Sequence, residues 1–236
     1  MMKNERSSRM NTFSTGQRIV SYILKTVVIV SAAVGTFLCV YSGRNSFMGG
    51  LNSFMYFTIQ SNIAAAVICA IGLYLMISGR KIGSVWYIVK FVGTVSITLT
   101  GAVYCFVLAP TMDNPWNIDG ILTHVVVPAA SVIDFFVTVT SGTIKKRDTV
   151  WVTIPPLLYA IYAGIGYKLG WQFSEGHNYP YIFLNWGSPA GAFGFTDELP
   201  YMGCAWWILA LLIALIAVGL LYLLAADLLK KLMKKA

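Results

Sequence analysis

Long apolar runs separated by short polar breaks dominate the chain. Six of them, at residues 19–41, 54–77, 84–109, 120–141, 150–170 and 203–227, are each about the 20 residues that a helix needs to cross some 30 Å of hydrocarbon. The pattern predicts an all-α polytopic membrane bundle of six transmembrane helices occupying residues 18–229, with a basic tail on each side at 1–17 and 230–236. The first run is too long for a signal peptide and no small-residue cleavage site precedes the second, so it is expected to remain as a span.

The breaks between runs carry orientation. Thirteen lysines and arginines fall in the N-terminal tail, the breaks after the second and fourth runs, and the C-terminal tail; the alternate breaks hold only Arg44. By the positive-inside rule both termini are expected in the cytoplasm, which an even number of spans allows. Lys25, Lys90 and Lys168 fall inside spans. The fifth break, 171–202, is long and rich in aromatic residues, glycine and proline. It is expected to cap the outer face as an interfacial or re-entrant element, an aromatic belt being the plainer alternative.

Composition agrees with a membrane chain: 57% of the 236 residues are hydrophobic and 11% charged, against about 25% charged in a typical soluble domain. A net charge of +8 would suggest nucleic acid for a soluble protein, but here the basic residues sit in the breaks and mark orientation instead. Cys39, Cys69, Cys105 and Cys204 lie in or beside apolar runs without CxxC or Cys/His spacing, and read as apolar filler. Phosphate-loop, dinucleotide, zinc-protease and serine-elbow motifs are absent. No metal or other cofactor is expected, and no nucleic-acid partner.

Chemistry must then come from polar side chains inside the spans, which hydrocarbon penalises unless they face a partner or a wet cavity. The second run opens FMYFTIQSNIAAAV, placing Thr58, Ser61 and Asn62 on one helical face. That face suits a helix-packing seam as well as a site. The fourth run, GILTHVVVPAASVIDFF, holds His124, the one histidine in any span. Counted from the run boundaries, Thr58 and His124 each lie four residues in, roughly 6 Å below the outer boundary. Pro128 cannot donate to the carbonyl of His124, so the helix should bend or open beside the imidazole. A threonine hydroxyl needs a base to act as a nucleophile, and a neutral imidazole can serve. The pair could therefore carry out acyl transfer from a lipid ester, with Ser61 and Asn62 as supporting groups. Asp134, ten residues on, lies too deep to orient His124; an ion pair with Lys90 is expected, Lys25 competing for the same carboxylate.

The runs YFTIQSN, LTHVVVPAASVIDF, PPLLYAIY and NYPYIFLN, in that order and spacing, resemble the androgen-induced-gene-like membrane proteins. That family includes animal threonine hydrolases of fatty acid esters of hydroxy fatty acids and many bacterial members. The resemblance spans residues 18–229. It implies a multi-pass hydrolase of a bacterial plasma membrane, with Thr58 as nucleophile, His124 as base and a lipid ester as substrate. Phe135 stands where members often have tryptophan, and Asn185, a candidate supporting residue, where an acid is common. The alternatives from the residues alone are a non-enzymatic lipid or small-molecule binder or transporter, the transporter proton-coupled through Asp134.

Overall fold

The computed structural model of the chain describes residues 13–42, 50–80, 82–112, 114–138 and 143–233. Lys3, Arg6, Arg9, Arg44, Lys81, Lys234 and Lys235 from the orientation argument lie outside them, as does most of the N-terminal tail. Among the described residues, six helices are long and apolar enough to span a membrane: α1 (Thr15–Tyr41), α2 (Phe57–Ile77), α3 (Ser84–Leu108), α4 (Ile118–Thr138), α5 (Lys146–Lys168) and α6 (Cys204–Leu232). No β-strand occurs among the described residues. The chain is a multi-pass helical membrane protein.

Helix α1 packs against α2 and α4, α3 lies against both α2 and α4, and α5 and α6 pack onto α3 and onto each other. Burial follows this order. Half of the hydrophobic window of α4 is buried and only 17% of that of α6, so α4 is interior and α6 turns half of its leucine and isoleucine side chains outward, as lipid permits. Six alternating crossings put the start of α1 and the end of α6 at one end of the bundle, the basic end. The Trp171–Met202 connection lies at the other, the loop end.

Several helix ends differ from the apolar-run boundaries, and each difference has a local cause. Residues Gly50–Met55 form a 3-10 turn, so α2 begins at Phe57 and Thr58 is its second residue rather than its fifth. Helix α4 starts at Ile118, where Asn117 accepts a hydrogen bond from the Gly120 amide at 2.9 Å and caps it. Helix α5 opens as a 3-10 stretch, Lys146–Thr153, and turns α-helical at Ile154, with Pro155 and Pro156 in its first turn where their missing N–H groups cost nothing.

Two spans also contain a π-helical turn, Tyr104–Leu108 in α3 and Leu122–Val126 in α4. The second ends two residues before Pro128. The Val127 amide bonds back to the Leu122 carbonyl, a wide turn in the region where the proline withdraws a donor. Gly101 of α3 faces this opening: a methyl group there would lie 2.9 Å from the His124 carbonyl oxygen and 3.2 Å from Pro128 carbons. The absent side chain is what lets the two helices approach.

The 171–202 connection is a folded cap. Phe173, Ser174, Leu184 and Ala190 are buried in it. Tyr56 Oη donates to the Phe173 carbonyl at 3.2 Å, Asn52 Nδ2 to the Gln172 carbonyl at 3.1 Å, and Trp207 Nε1 to the Pro200 carbonyl at 2.9 Å. Phe193, Phe195 and Tyr201 remain exposed, as headgroup-level anchors would be. Beneath the cap, Tyr56, Tyr159, Ala163, Phe173 and Leu184 make an aromatic cluster separate from the aliphatic core of α1–α4.

Candidate active site

Thr58 is buried at the start of α2, on the wall of a cavity of about 60 Å³ that opens to the outside. Helices α2, α3, α5, α6 and the cap line it, largely with Phe57, Leu99, Val103, Leu108, Pro156, Phe183, Leu184, Ile208, Leu211 and Leu212. Polar atoms are few: Thr58, Thr100, Tyr104, Tyr159 and Tyr181 supply the hydroxyls on the lining residues. An apolar pocket with a few convergent polar groups is the usual form of a small-ligand site.

The hydroxyl of Thr58 meets the cap. Its Oγ1 lies 3.4 Å from Tyr181 Oη, and its backbone N–H, free because it sits in the first turn of α2, donates to the same phenol oxygen at 3.3 Å. The Tyr159 hydroxyl is turned to the Met55 carbonyl at 3.1 Å, and the Tyr104 hydroxyl donates to the Pro115 carbonyl.

His124 is buried in the π turn of α4. Its Nδ1 lies 3.0 Å from both the Gly120 carbonyl oxygen and Thr123 Oγ1. Thr123 commits its single proton to the Asp119 carbonyl at 2.7 Å, and a carbonyl oxygen never donates. Nδ1 must therefore carry the hydrogen, and in the neutral ring Nε2 keeps the lone pair. The ring stacks on Tyr104, centroids 3.6 Å apart and planes 13° from parallel. Both partners of this stack sit in π turns, which widen each helix where the rings meet.

Thr58 and His124 share no hydrogen bond. Tyr104, not His124, lines the cavity, and the imidazole lies against that ring. The two positions are nevertheless neighbours, because Asn62 Nδ2 donates to the Thr58 carbonyl at 2.8 Å and to the Thr123 carbonyl at 3.1 Å, bridging α2 and α4. Both contacts are to acceptors, so the amide nitrogen faces them; Asn62 Oδ1 is buried without a partner.

Ser61 donates to the Thr58 carbonyl at 3.0 Å and shares a 2.7 Å bond with Thr100 of α3. It lines a second, more open groove of about 460 Å³ bounded by α2, α3 and the start of α5. Phe57 belongs to both spaces, so Phe57 and the Ser61–Thr100 pair form the partition between groove and cavity. Pro128 packs at Gly101, outside the cavity wall. Asn185 accepts from the Gly187 amide at 3.1 Å within the cap and does not reach the cavity.

Asp134 stands apart, toward the basic end. Lys25 donates to both of its carboxylate oxygens at 2.7 Å, while Lys90 donates to Oδ2 at 2.5 Å and to the Asp134 carbonyl at 3.0 Å. Lys25 and Lys90 do not compete for the carboxylate; they bind it together. Ser21 donates to Oδ1 at 2.6 Å, and Thr138 accepts from Lys90. Gly72 makes room for the Lys25 stem, which would lie 2.9 Å from a methyl group at that position. The four cysteines are free thiols.

Sequence reasoning missed Tyr104 and Tyr181. The first is unremarkable within GAVYCFVL, and the second lay inside NYPYIFLN with nothing in its local pattern to tie it to Thr58, 123 residues away. Comparison of the chain with protein-family models, curated proteins and solved structures finds no match in any of the three.

Proposed function

We propose that this protein is a lipid-ester hydrolase in which Thr58 is the nucleophile and His124 the general base. The observation that carries this reading is the Thr58 hydroxyl on the wall of a mostly apolar cavity, with a phenol beside it that its own backbone amide also reaches. An acyl chain suits such walls, since each buried methylene contributes about 0.8 kcal/mol. The groove beyond Phe57 faces the lipid side of α2 and α3 and offers a lateral route for an ester already dissolved in the membrane. The substrate class is a fatty acid ester, including esters of hydroxy fatty acids, taken from the leaflet at the loop end. The basic residues orient that end outward, with both termini in the cytoplasm of a bacterial cell.

His124 is arranged as a base. Its Nδ1 hydrogen is held by Gly120 and Thr123, which leaves Nε2 to accept a proton. Because Thr58 and Nε2 are not bonded at rest, proton transfer runs through one bridging water or follows a turn of the Thr58 side chain when an ester arrives. Attack by Thr58 releases the alcohol and leaves an acyl-threonine, which water then hydrolyses with the same imidazole as base.

A proton-coupled transporter centred on Asp134 is the weaker reading, because both carboxylate oxygens are already engaged by Lys25, Lys90 and Ser21. A passive lipid binder would use the same cavity without chemistry. A fluorophosphonate probe separates these readings: wild-type protein in detergent is expected to become covalently labelled, and Thr58→Ala is not. Equal labelling of the two would eliminate the hydrolase.

A further inference from the structure

Resting on that reading, we infer that Tyr181 is a catalytic residue, its phenol O–H donating to the ester oxyanion while the Thr58 N–H supplies the second donor. An oxyanion site requires donors fixed before the reaction at the place where negative charge will develop, and here two polar groups converge at the nucleophile itself. Tyr181 Oη lies 3.4 Å from Thr58 Oγ1 and 3.3 Å from Thr58 N. Since the amide donates into the phenol oxygen, the phenol keeps its own hydrogen for another acceptor. The carbonyl carbon under attack must sit about 3–3.5 Å from Oγ1. Its oxygen then falls between the two donors, taking the place of their contact with each other.

The ring is held for this task. Tyr181 packs edge-on to Tyr56 at 5.7 Å, lies 6.1 Å from Tyr159, and stacks on Phe183 at 5.1 Å with planes 3° apart. The start of α2, α5 and the cap therefore fix one phenol, and it lines the same cavity as Thr58. Burial raises its pKa above the ordinary tyrosine value of 10.0, with the hydrogen bonds from Thr58 pulling the other way, so the group is a neutral donor at physiological pH.

The step balances without any further reactant. The Thr58 oxygen forms a bond to the ester carbon, the carbonyl π pair moves onto the oxygen, and the threonine proton passes to His124 Nε2. The oxyanion then re-forms the carbonyl, the bond to the alkoxy group breaks, and the departing alkoxide takes the proton from His124. Water repeats the sequence on the acyl-threonine and releases the fatty acid. Tyr181 keeps its proton throughout; it donates a hydrogen bond that strengthens as charge builds on the oxygen.

The test is hydrolysis of a p-nitrophenyl fatty acid ester by the full-length protein in detergent, comparing wild type, Tyr181→Phe and Thr58→Ala, with thermal unfolding followed in parallel. Tyr181→Phe keeps the ring contacts and is expected to lower kcat by about 10²–10³-fold, with KM and the unfolding midpoint near those of wild type. Wild-type kcat in Tyr181→Phe beside an inactive Thr58→Ala overturns the role of Tyr181 and leaves the nucleophile standing. A raised KM with unchanged kcat overturns it too, since that marks ground-state binding alone. Should Thr58→Ala hydrolyse the ester like wild type, or wild type fail to hydrolyse it, the hydrolase reading falls and the role of Tyr181 with it.

Discussion

Two polar clusters sit inside the same bundle and are built in opposite ways. At the basic end, Asp134 is closed: Lys25, Lys90 and Ser21 saturate its carboxylate, and each ammonium spends three hydrogen bonds within the protein. At the loop end, Thr58 Oγ1 has one long contact to Tyr181, Asn62 Oδ1 has none, and a cavity opens beside them. Hydrocarbon penalises unmet polar groups, so the closed cluster is the form expected of helix-to-helix adhesive and the open one the form expected of a site awaiting a ligand. Saturation separates the two more sharply than charge does. The cluster with three ionisable groups is satisfied within the protein, and the one built from hydroxyls, an amide and an imidazole is where the proposed chemistry is placed.

This contrast can be broken by measuring stability and chemistry on the same variants. The largest effect on stability is expected from Asp134→Asn, which leaves two buried ammoniums without their carboxylate and should cost about 3–5 kcal/mol by chemical unfolding in detergent. Folded protein at near wild-type stability would contradict the structural role. Next comes Gly101→Ala, whose methyl would press on the His124 carbonyl and Pro128; a loss of about 1–3 kcal/mol is expected, together with slower ester hydrolysis as the Tyr104–His124 stack shifts. Asn62→Ala removes the bridge between α2 and α4 and should cost roughly 0.6–1.7 kcal/mol, the range of interhelical hydrogen bonds in membranes, again with slowed hydrolysis. Smallest in stability is Thr58→Ala, expected to lie under about 1 kcal/mol because the contact it loses is long. That variant should nevertheless abolish probe labelling. Comparable destabilisation by Thr58→Ala and Asp134→Asn would erase the distinction between the two ends.

The ion cluster shows how far counting along a helix can reach. The sequence places Asp134 and Lys90 as an expected pair with Lys25 as a rival, and in the structure both lysines bind the same carboxylate. Depth counting served Thr58 and His124 less well. Both run boundaries lay a few residues from the true helix starts, at Phe57 and Ile118, and the Asn62 bridge rather than equal counts makes the positions neighbours. Pro128 foretold a disturbance in α4, which takes the form of a π turn; nothing in the sequence marked its counterpart at Tyr104. Phe183 and Tyr159, which hold Tyr181, are ordinary aromatic residues of a membrane protein when read along the chain.

Six crossings and their alternation are determined by the sequence alone, because a bilayer asks each segment only for enough consecutive apolar residues, a local property that no distant contact can revoke. The buried acid and its lysines follow from the same logic, since a charge in hydrocarbon has few partners to choose from. The cavity, the Tyr104–His124 stack and the meeting of Tyr181 with Thr58 belong to the tertiary structure. They depend on where the cap folds, how a π turn rotates a side chain and how closely a glycine lets two helices approach. Those choices are made by contacts between residues far apart in the chain, and periodicity carries no trace of them.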